Sequence, residues 1–132
     1  MAWRTAFVVL GTAGAALLFS AGAASAQAND AQVKRGQTLW QNRGCAGCHS
    51  IGKGKGSGVA PDLAGVSERR THEWIVNWLK DTNGMIATDS IAQAMVKEYK
   101  GAKMPAQKLT EDDANAILAF ISATEAKQKK KS

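Results

Sequence analysis

Apolar residues recur at helical spacing in four stretches of the chain, and no stretch alternates strictly between apolar and polar residues. The predicted helices run from Asp30 to about Arg43, from Thr71 to about Lys80, from Ser90 to about Tyr99 and from Thr110 to about Lys127. The pattern therefore predicts an all-α fold of about four helices.

The last of these helices has the clearest boundaries. Thr110 supplies a capping hydroxyl, and acidic residues follow in the first turn, where the helix dipole favours them. Its apolar positions are Ala114, Ile117, Leu118 and Ile121. We expect Gly36 and Trp40 of the first helix to pack against Leu118 or Ile121 of the last.

Two segments between the helices are predicted to be irregular. Residues 50–60 include four glycines, and residues 101–109 contain Met104-Pro105, where proline disfavours helix in the residue before it. The Gly-rich segment lacks the preceding strand and the spaced glycines of a phosphate-binding loop. It is therefore interpreted as a plain connecting loop.

The N-terminal residues have the pattern of an export signal. Arg4 precedes an uncharged apolar stretch, and Ala24-Ser25-Ala26 offers small residues to a signal peptidase. We predict that residues 1–26 are removed and that residues 27–132 form one domain in the periplasm. Cleavage after Ala28 and an uncleaved membrane anchor are the alternatives.

The chain is basic: its 132 residues include 17 Lys and Arg and 11 Asp and Glu, which gives a net charge of +6. This excess suits acidic partners. Export argues against nucleic acid, and no helix with a basic amphipathic face favours lipid. Lys129-Lys130-Lys131 is interpreted as a short, solvated C-terminal tail.

The chemistry is concentrated in Cys45-Ala46-Gly47-Cys48-His49. Two cysteines three positions apart, followed at once by histidine, form the attachment signature of c-type haem. A short turn presents both thiols to the two vinyl groups on one edge of the ring, and each thiol forms a thioether. The next residue, His49, is carried under the ring, where its imidazole can bind iron.

Three other interpretations of these residues are weaker. A disulfide between Cys45 and Cys48 would close a very small loop, and a thioredoxin-like redox pair needs a βαβ context. A structural zinc site needs four ligands, and only His49 and His72 could join the cysteines.

The sequence resembles a class I, soluble, single-haem cytochrome c from about Val33 to Thr124. The matching features, in order, are Gly36 and Trp40, the haem motif, Pro61-Asp62-Leu63-Ala64-Gly65, Met104-Pro105 and the apolar face of the last helix. The resemblance implies a small cytochrome c-like fold packed around one haem c, covalently bound through Cys45 and Cys48.

The resemblance also implies the iron ligands. His49 would be the proximal ligand, with its other ring nitrogen bonded to the carbonyl of Pro61. Met104 would be the sixth ligand, and a His/Met pair raises the reduction potential. Met85 and His72 are the other candidates for that position, whereas Met95 is expected in the core.

Basic and indole groups are expected near a haem propionate. The resemblance implies that Arg69 or Arg70 pairs with it, and Trp74 or Trp78 could donate an indole N–H. A solvated charge pair and a simple core stripe are the alternatives.

With two axial ligands no position is open for a substrate, so we expect an electron carrier and no enzyme. Its partners would be redox proteins with acidic docking surfaces, which recognise a basic rim and provide the only membrane contact. That rim comprises Lys53, Lys55, Lys103 and Lys108. The alternatives are a haem subunit of a dedicated periplasmic dehydrogenase and a five-coordinate haem protein that binds gases or acts as a small peroxidase.

Overall fold

The computed structural model describes residues 20–52 and 59–131, with side chains from residue 29 onward, and every regular element in that part of the chain is helical. The elements are α1 (Ser20–Asn42), a 3₁₀ turn (Cys45–Gly47), α2 (Val66–Arg69), α3 (His72–Lys80), α4 (Thr82–Thr88), α5 (Ser90–Glu98) and α6 (Glu111–Lys129). The all-α prediction is confirmed, but the number of helices was underestimated, because α2 and α4 were not predicted.

The first and last long helices pack closely against each other. A Cβ atom on Gly36 would collide with the backbone carbonyl of Ala116, so the absence of a side chain there allows the close approach. The ring of Trp40 lies 5.8 Å from that of Phe120, centroid to centroid. The expected partner of Gly36 was wrong: its neighbours are Ala116 and Phe120, which lie one turn apart on α6.

The core lies between this helix pair and α3. Buried residues of α3 and α6 dominate it: Ile75, Val76, Trp78, Leu79, Ala114, Ile117, Leu118 and Ile121. The backbone N–H of Leu109 donates to the carbonyl of Leu79 over 3.3 Å, which attaches the segment before α6 to α3. The apolar face predicted for α6 is confirmed.

Side-chain caps fix where the helices begin. The hydroxyl of Thr71 accepts from the N–H of Trp74, and Thr110 caps α6 in the same way, as predicted. Asp81 accepts from the N–H of Gly84 over 2.9 Å and starts α4. Met85, one of the other candidates for the sixth iron ligand, lies within α4.

The predicted export signal falls largely outside the described residues. Residues 1–19 are not described, and residues 20–26 belong to α1, which starts earlier than the Asp30 boundary. Cleavage after Ala26 stays a prediction. Among the described residues, no helix is both long and apolar enough to cross a membrane.

Candidate functional site

The two cysteines lie on a tight turn directly after α1. Gly44 adopts a left-handed conformation with φ of 68° and starts the 3₁₀ turn. The N–H of His49 then donates to the carbonyl of Cys45 over 2.9 Å. Cys45 is half-buried and Cys48 is exposed, and burial raises the pKa of the Cys45 thiol. One turn thus presents two thiols and an imidazole together.

The imidazole of His49 is oriented by a backbone carbonyl. Its Nδ1 lies 2.9 Å from the oxygen of Pro61, and with the proton on Nδ1 the ring donates this hydrogen bond. A histidine held through one nitrogen presents the other to a metal, with a fixed ring orientation and raised basicity. Nε2 is therefore the atom suited to bind iron.

The segment that carries Pro61 is held by side chains on both sides. The carboxylate of Asp62 accepts from the Ser50 hydroxyl and from the N–H groups of Gly52 and Ala64, over 2.8, 2.9 and 2.7 Å. The guanidinium of Arg69 donates to the carbonyls of Ala64 and Asp62. Arg69 is thus engaged with this loop.

Met104 lies half-buried in the irregular segment between α5 and α6. The indole Nε1 of Trp78, on α3, donates to its Sδ over 3.1 Å. Arg43 donates to the carbonyl of Gln107 over 3.2 Å, which attaches this segment to the chain just before the cysteine turn. No sequence pattern indicated the Trp78–Met104 contact, since the two residues lie on different elements.

The side chain of Arg70 lies over Trp74, which lies next to Trp78, the residue that donates to Met104. The Arg70 guanidinium carbon lies 5.4 Å from the centroid of the Trp74 ring, which stacks on Trp78 at 5.5 Å and 9°. Arg70 Nε and Trp74 Nε1 are buried donors without an acceptor in the described structure. Such donors normally have partners. Because one of these two donors belongs to the guanidinium cation of Arg70, the pair suits an anionic acceptor such as a carboxylate.

Apolar side chains from several elements are only partly buried around the core. They include Cys45, Leu63, Val66, Trp74, Met95 and Met104. Incomplete burial of so many apolar side chains suits a large, flat apolar group packed against them. Together with the unpartnered donors and the His49–Pro61 pair, this set of residues fits a haem with its propionates.

The remaining predicted residues lie elsewhere. His72 is exposed in the first turn of α3, and Met95 packs against the core from α5. Lys103 and Lys108 are exposed on either side of Met104, whereas Lys53 and Lys55 lie outside the described residues. Within the part of the chain that the structure describes, no three His, Cys, Asp or Glu side chains converge to hold a metal ion, so the zinc alternative gains no support.

Comparisons with known proteins give a consistent result. The sequence model of the cytochrome c family, described as "Cytochrome c", matches residues 33–125. A solved cytochrome c from Rhodothermus marinus is 30% identical with a TM-score of 0.64, over 75% of this chain and 81% of that one. An engineered form of Rhodothermus marinus cytochrome c is 26% identical with a TM-score of 0.60, over 88% and 91% of the two chains.

One curated relative matches a shorter stretch. A nitric oxide reductase subunit from Stutzerimonas stutzeri is 46% identical over 41 residues, which are 31% of this chain and 27% of that protein. This chain therefore matches about a quarter of that subunit's length.

Proposed function

Because the chain belongs to the cytochrome c family, whose cofactor is a covalently attached haem c, we propose that it is an exported one-electron carrier with His49 and Met104 as iron ligands. Cys45 and Cys48 have the spacing that thioether attachment needs. Bound haem supplies a one-electron Fe(III)/Fe(II) couple.

The observation that carries the proposal is the hydrogen bond between His49 and Pro61. With Nδ1 engaged at 2.9 Å by the carbonyl, Nε2 is the nitrogen that binds the metal. The role that the resemblance implies for Pro61, to accept a hydrogen bond from the proximal histidine, is thus supported by the contact between these two residues.

The sixth ligand is assigned to Met104. Met104 is half-buried in a non-helical segment, and its Sδ accepts a hydrogen bond from Trp78. The other candidates are less suitable, because Met85 lies within α4 and His72 is exposed on α3. A thioether ligand favours Fe(II), and its occupation of the iron argues against an open catalytic position.

The propionate role is assigned to Arg70 and Trp74. Their buried Nε and Nε1 donors lack an acceptor among the described residues, and Arg70 supplies a positive charge. Arg69 is less suited, since its guanidinium is already bonded to Ala64 and Asp62.

Partner recognition is assigned to the basic rim around the methionine segment. Lys103 and Lys108 are exposed there, and the chain carries a net charge of +6. Acidic surfaces on redox proteins would be attracted to this rim, and salt would slow the encounter. An electron-transfer rate that is independent of ionic strength would contradict this role.

Spectroscopy of the purified holoprotein tests the proposal. We expect a mass increased by one haem that does not extract into acidified organic solvent, and spectra typical of six-coordinate iron in both redox states. Slow carbon monoxide binding to the reduced form is expected, whereas rapid binding would favour the five-coordinate alternative. A colourless protein after full maturation would contradict the proposal as a whole.

A haem subunit within an enzyme complex is the second candidate, and the match to a nitric oxide reductase subunit favours it. In that case the chain would remain bound to a larger partner. Co-purification that survives high salt would support this candidate, and a monomer that exchanges freely would support the diffusible carrier.

A further inference from the structure

We propose that Asp62 is a positioning residue for the iron: its carboxylate holds the Pro61 carbonyl against His49 and thereby helps set the reduction potential. This inference depends on the proposed role of His49 as an iron ligand. It adds a residue that lies outside the haem motif and acts through the proline beside it.

The contacts of Asp62 join the two chain segments that meet at the histidine. Oδ2 accepts from the Ser50 hydroxyl over 2.8 Å, and Oδ1 accepts from the N–H of Gly52 over 2.9 Å. Ser50 directly follows His49, and Asp62 directly follows Pro61. The carboxylate therefore links the neighbour of the donor to the neighbour of the acceptor.

Two further hydrogen bonds fix the direction of the Pro61 segment. Oδ1 of Asp62 also accepts from the N–H of Ala64 over 2.7 Å, which closes a local turn. The N–H of Leu63 donates to the Ser50 carbonyl over 2.8 Å. With the backbone held on both sides, the Pro61 carbonyl has little freedom to turn away from Nδ1.

The sign of the effect on the potential follows from the His49 hydrogen bond. A firm bond from Nδ1–H to the carbonyl raises the basicity of the imidazole, which favours Fe(III). Loosening the carbonyl weakens that bond and favours Fe(II). Loss of the hydrogen-bond acceptor at Asp62 should therefore raise the reduction potential.

The test compares Asp62→Ala, Asp62→Asn and the wild-type holoprotein. A typical hydrogen bond contributes about 0.5–1.5 kcal/mol, so we expect Asp62→Ala to raise the reduced-to-oxidised ratio at a fixed electrode potential by about twofold to tenfold. The Nδ1 proton of His49, followed by NMR, should exchange with water faster by a similar factor. Asp62→Asn keeps an acceptor for the backbone N–H groups and should stay near wild type.

Asp89→Ala is the matched control. Asp89 is also half-buried and accepts one backbone N–H, from Ala92 over 2.8 Å, but it caps α5. Its loss should lower the melting temperature and leave the redox ratio and the Nδ1 proton unchanged. A purely structural role for Asp62 would give that same pattern.

The outcomes separate this inference from the proposed function. A wild-type protein without covalent haem, or with another ligand in place of His49, would refute the proposed function. A haem-loaded Asp62→Ala protein with an unchanged ratio and unchanged proton exchange would refute only the role of Asp62. If Asp62→Ala does not fold, Ser50→Ala decides: it removes the hydrogen bond from Ser50 to Asp62 and should shift both readouts in the same direction, and no shift would overturn the inference.

Discussion

The indole nitrogen of Trp78 lies 3.1 Å from the sulfur of Met104 and donates a hydrogen bond to it. A thioether sulfur is a weak acceptor, and its second lone pair remains available for iron. An N–H donor at the sulfur withdraws electron density from it. With Met104 bound to iron as proposed, this contact should weaken donation to Fe(III) and favour Fe(II).

Replacing Trp78 with Phe should lower the reduction potential. We expect the reduced-to-oxidised ratio at a fixed electrode potential to fall by about twofold to tenfold, the equivalent of one lost hydrogen bond. The sign is opposite to that expected for Asp62→Ala. Potentiometry checks it, and the shift should vanish when Met104 is already replaced; a shift that persists there would rule out the sulfur contact as its cause.

Replacing Met104 with Ala should abolish the weak sulfur-to-iron absorption band of the oxidised protein and permit rapid carbon monoxide binding after reduction. Met95→Ala is the control, because Met95 is half-buried in α5 and packs against the core. It should lower stability and keep the band. A band that survives in Met104→Ala would remove Met104 from the iron.

Replacing Trp74 with Phe should change how the reduction potential depends on pH. A donor to the ionised propionate lowers its pKa, so loss of the indole N–H should raise that pKa and move the decline of the potential to higher pH. Potentiometry over a pH series measures the displacement. An unchanged curve would mean that the buried Nε1 of Trp74 has another partner.

Replacing Gly36 with Ala should destabilise the fold. The new Cβ would meet the carbonyl of Ala116, which is backbone and cannot move aside alone, so we expect a loss of about 1–3 kcal/mol. Gln37→Ala is the control, since Gln37 follows Gly36 on the same helix and is exposed. Denaturant unfolding of the holoproteins compares the two, and equal stability would contradict the close helix crossing.

Replacing Asp113 with Asn should make the free energy of unfolding depend less on pH at acidic pH. The hydrogen bond from Arg35 lowers the pKa of Asp113 below its usual value of 3.8. The ionised carboxylate of Asp113 therefore stabilises the fold above pH 3.8, and this stabilisation is lost as the pH falls through the lowered pKa of the folded state. Arg35 is 56% exposed, which limits the effect to about 0.2–1 kcal/mol. Denaturant unfolding at a series of pH values from 6 downwards measures this effect. Arg35→Gln should cause the same change as Asp113→Asn, and the double variant should show no additional change.

The sequence predicted the long helices better than the short ones. Thr71 and Thr110 were predicted as N-caps and cap α3 and α6 in the structure, and apolar residues follow each of them at regular helical spacing. In contrast, α4 includes Gly84, a poor helix former, and depends on a cap from Asp81. Asp81 could have signalled this helix, but the stretch is too short for periodicity to show it.

The candidate site was predictable where its residues are close in sequence or belong to the haem motif. The family and the cofactor are confirmed by the comparisons, whereas the individual ligand roles stay predictions. The contacts of Trp78 with Met104 and of Arg69 with Ala64 could not be predicted, because they depend on how separate elements come together. No local pattern encodes that arrangement.

The crossing of Gly36 and Ala116 also has a consequence for biogenesis. These residues are separated by most of the polypeptide, so the crossing cannot form until the C-terminal segment has been synthesised. Before that moment the half-buried Cys45 is not yet packed into a finished interior, whereas Cys48 is exposed even in the folded chain. We therefore expect thioether formation at Cys45 to be easiest in the partly folded chain and slower once the terminal helices have docked.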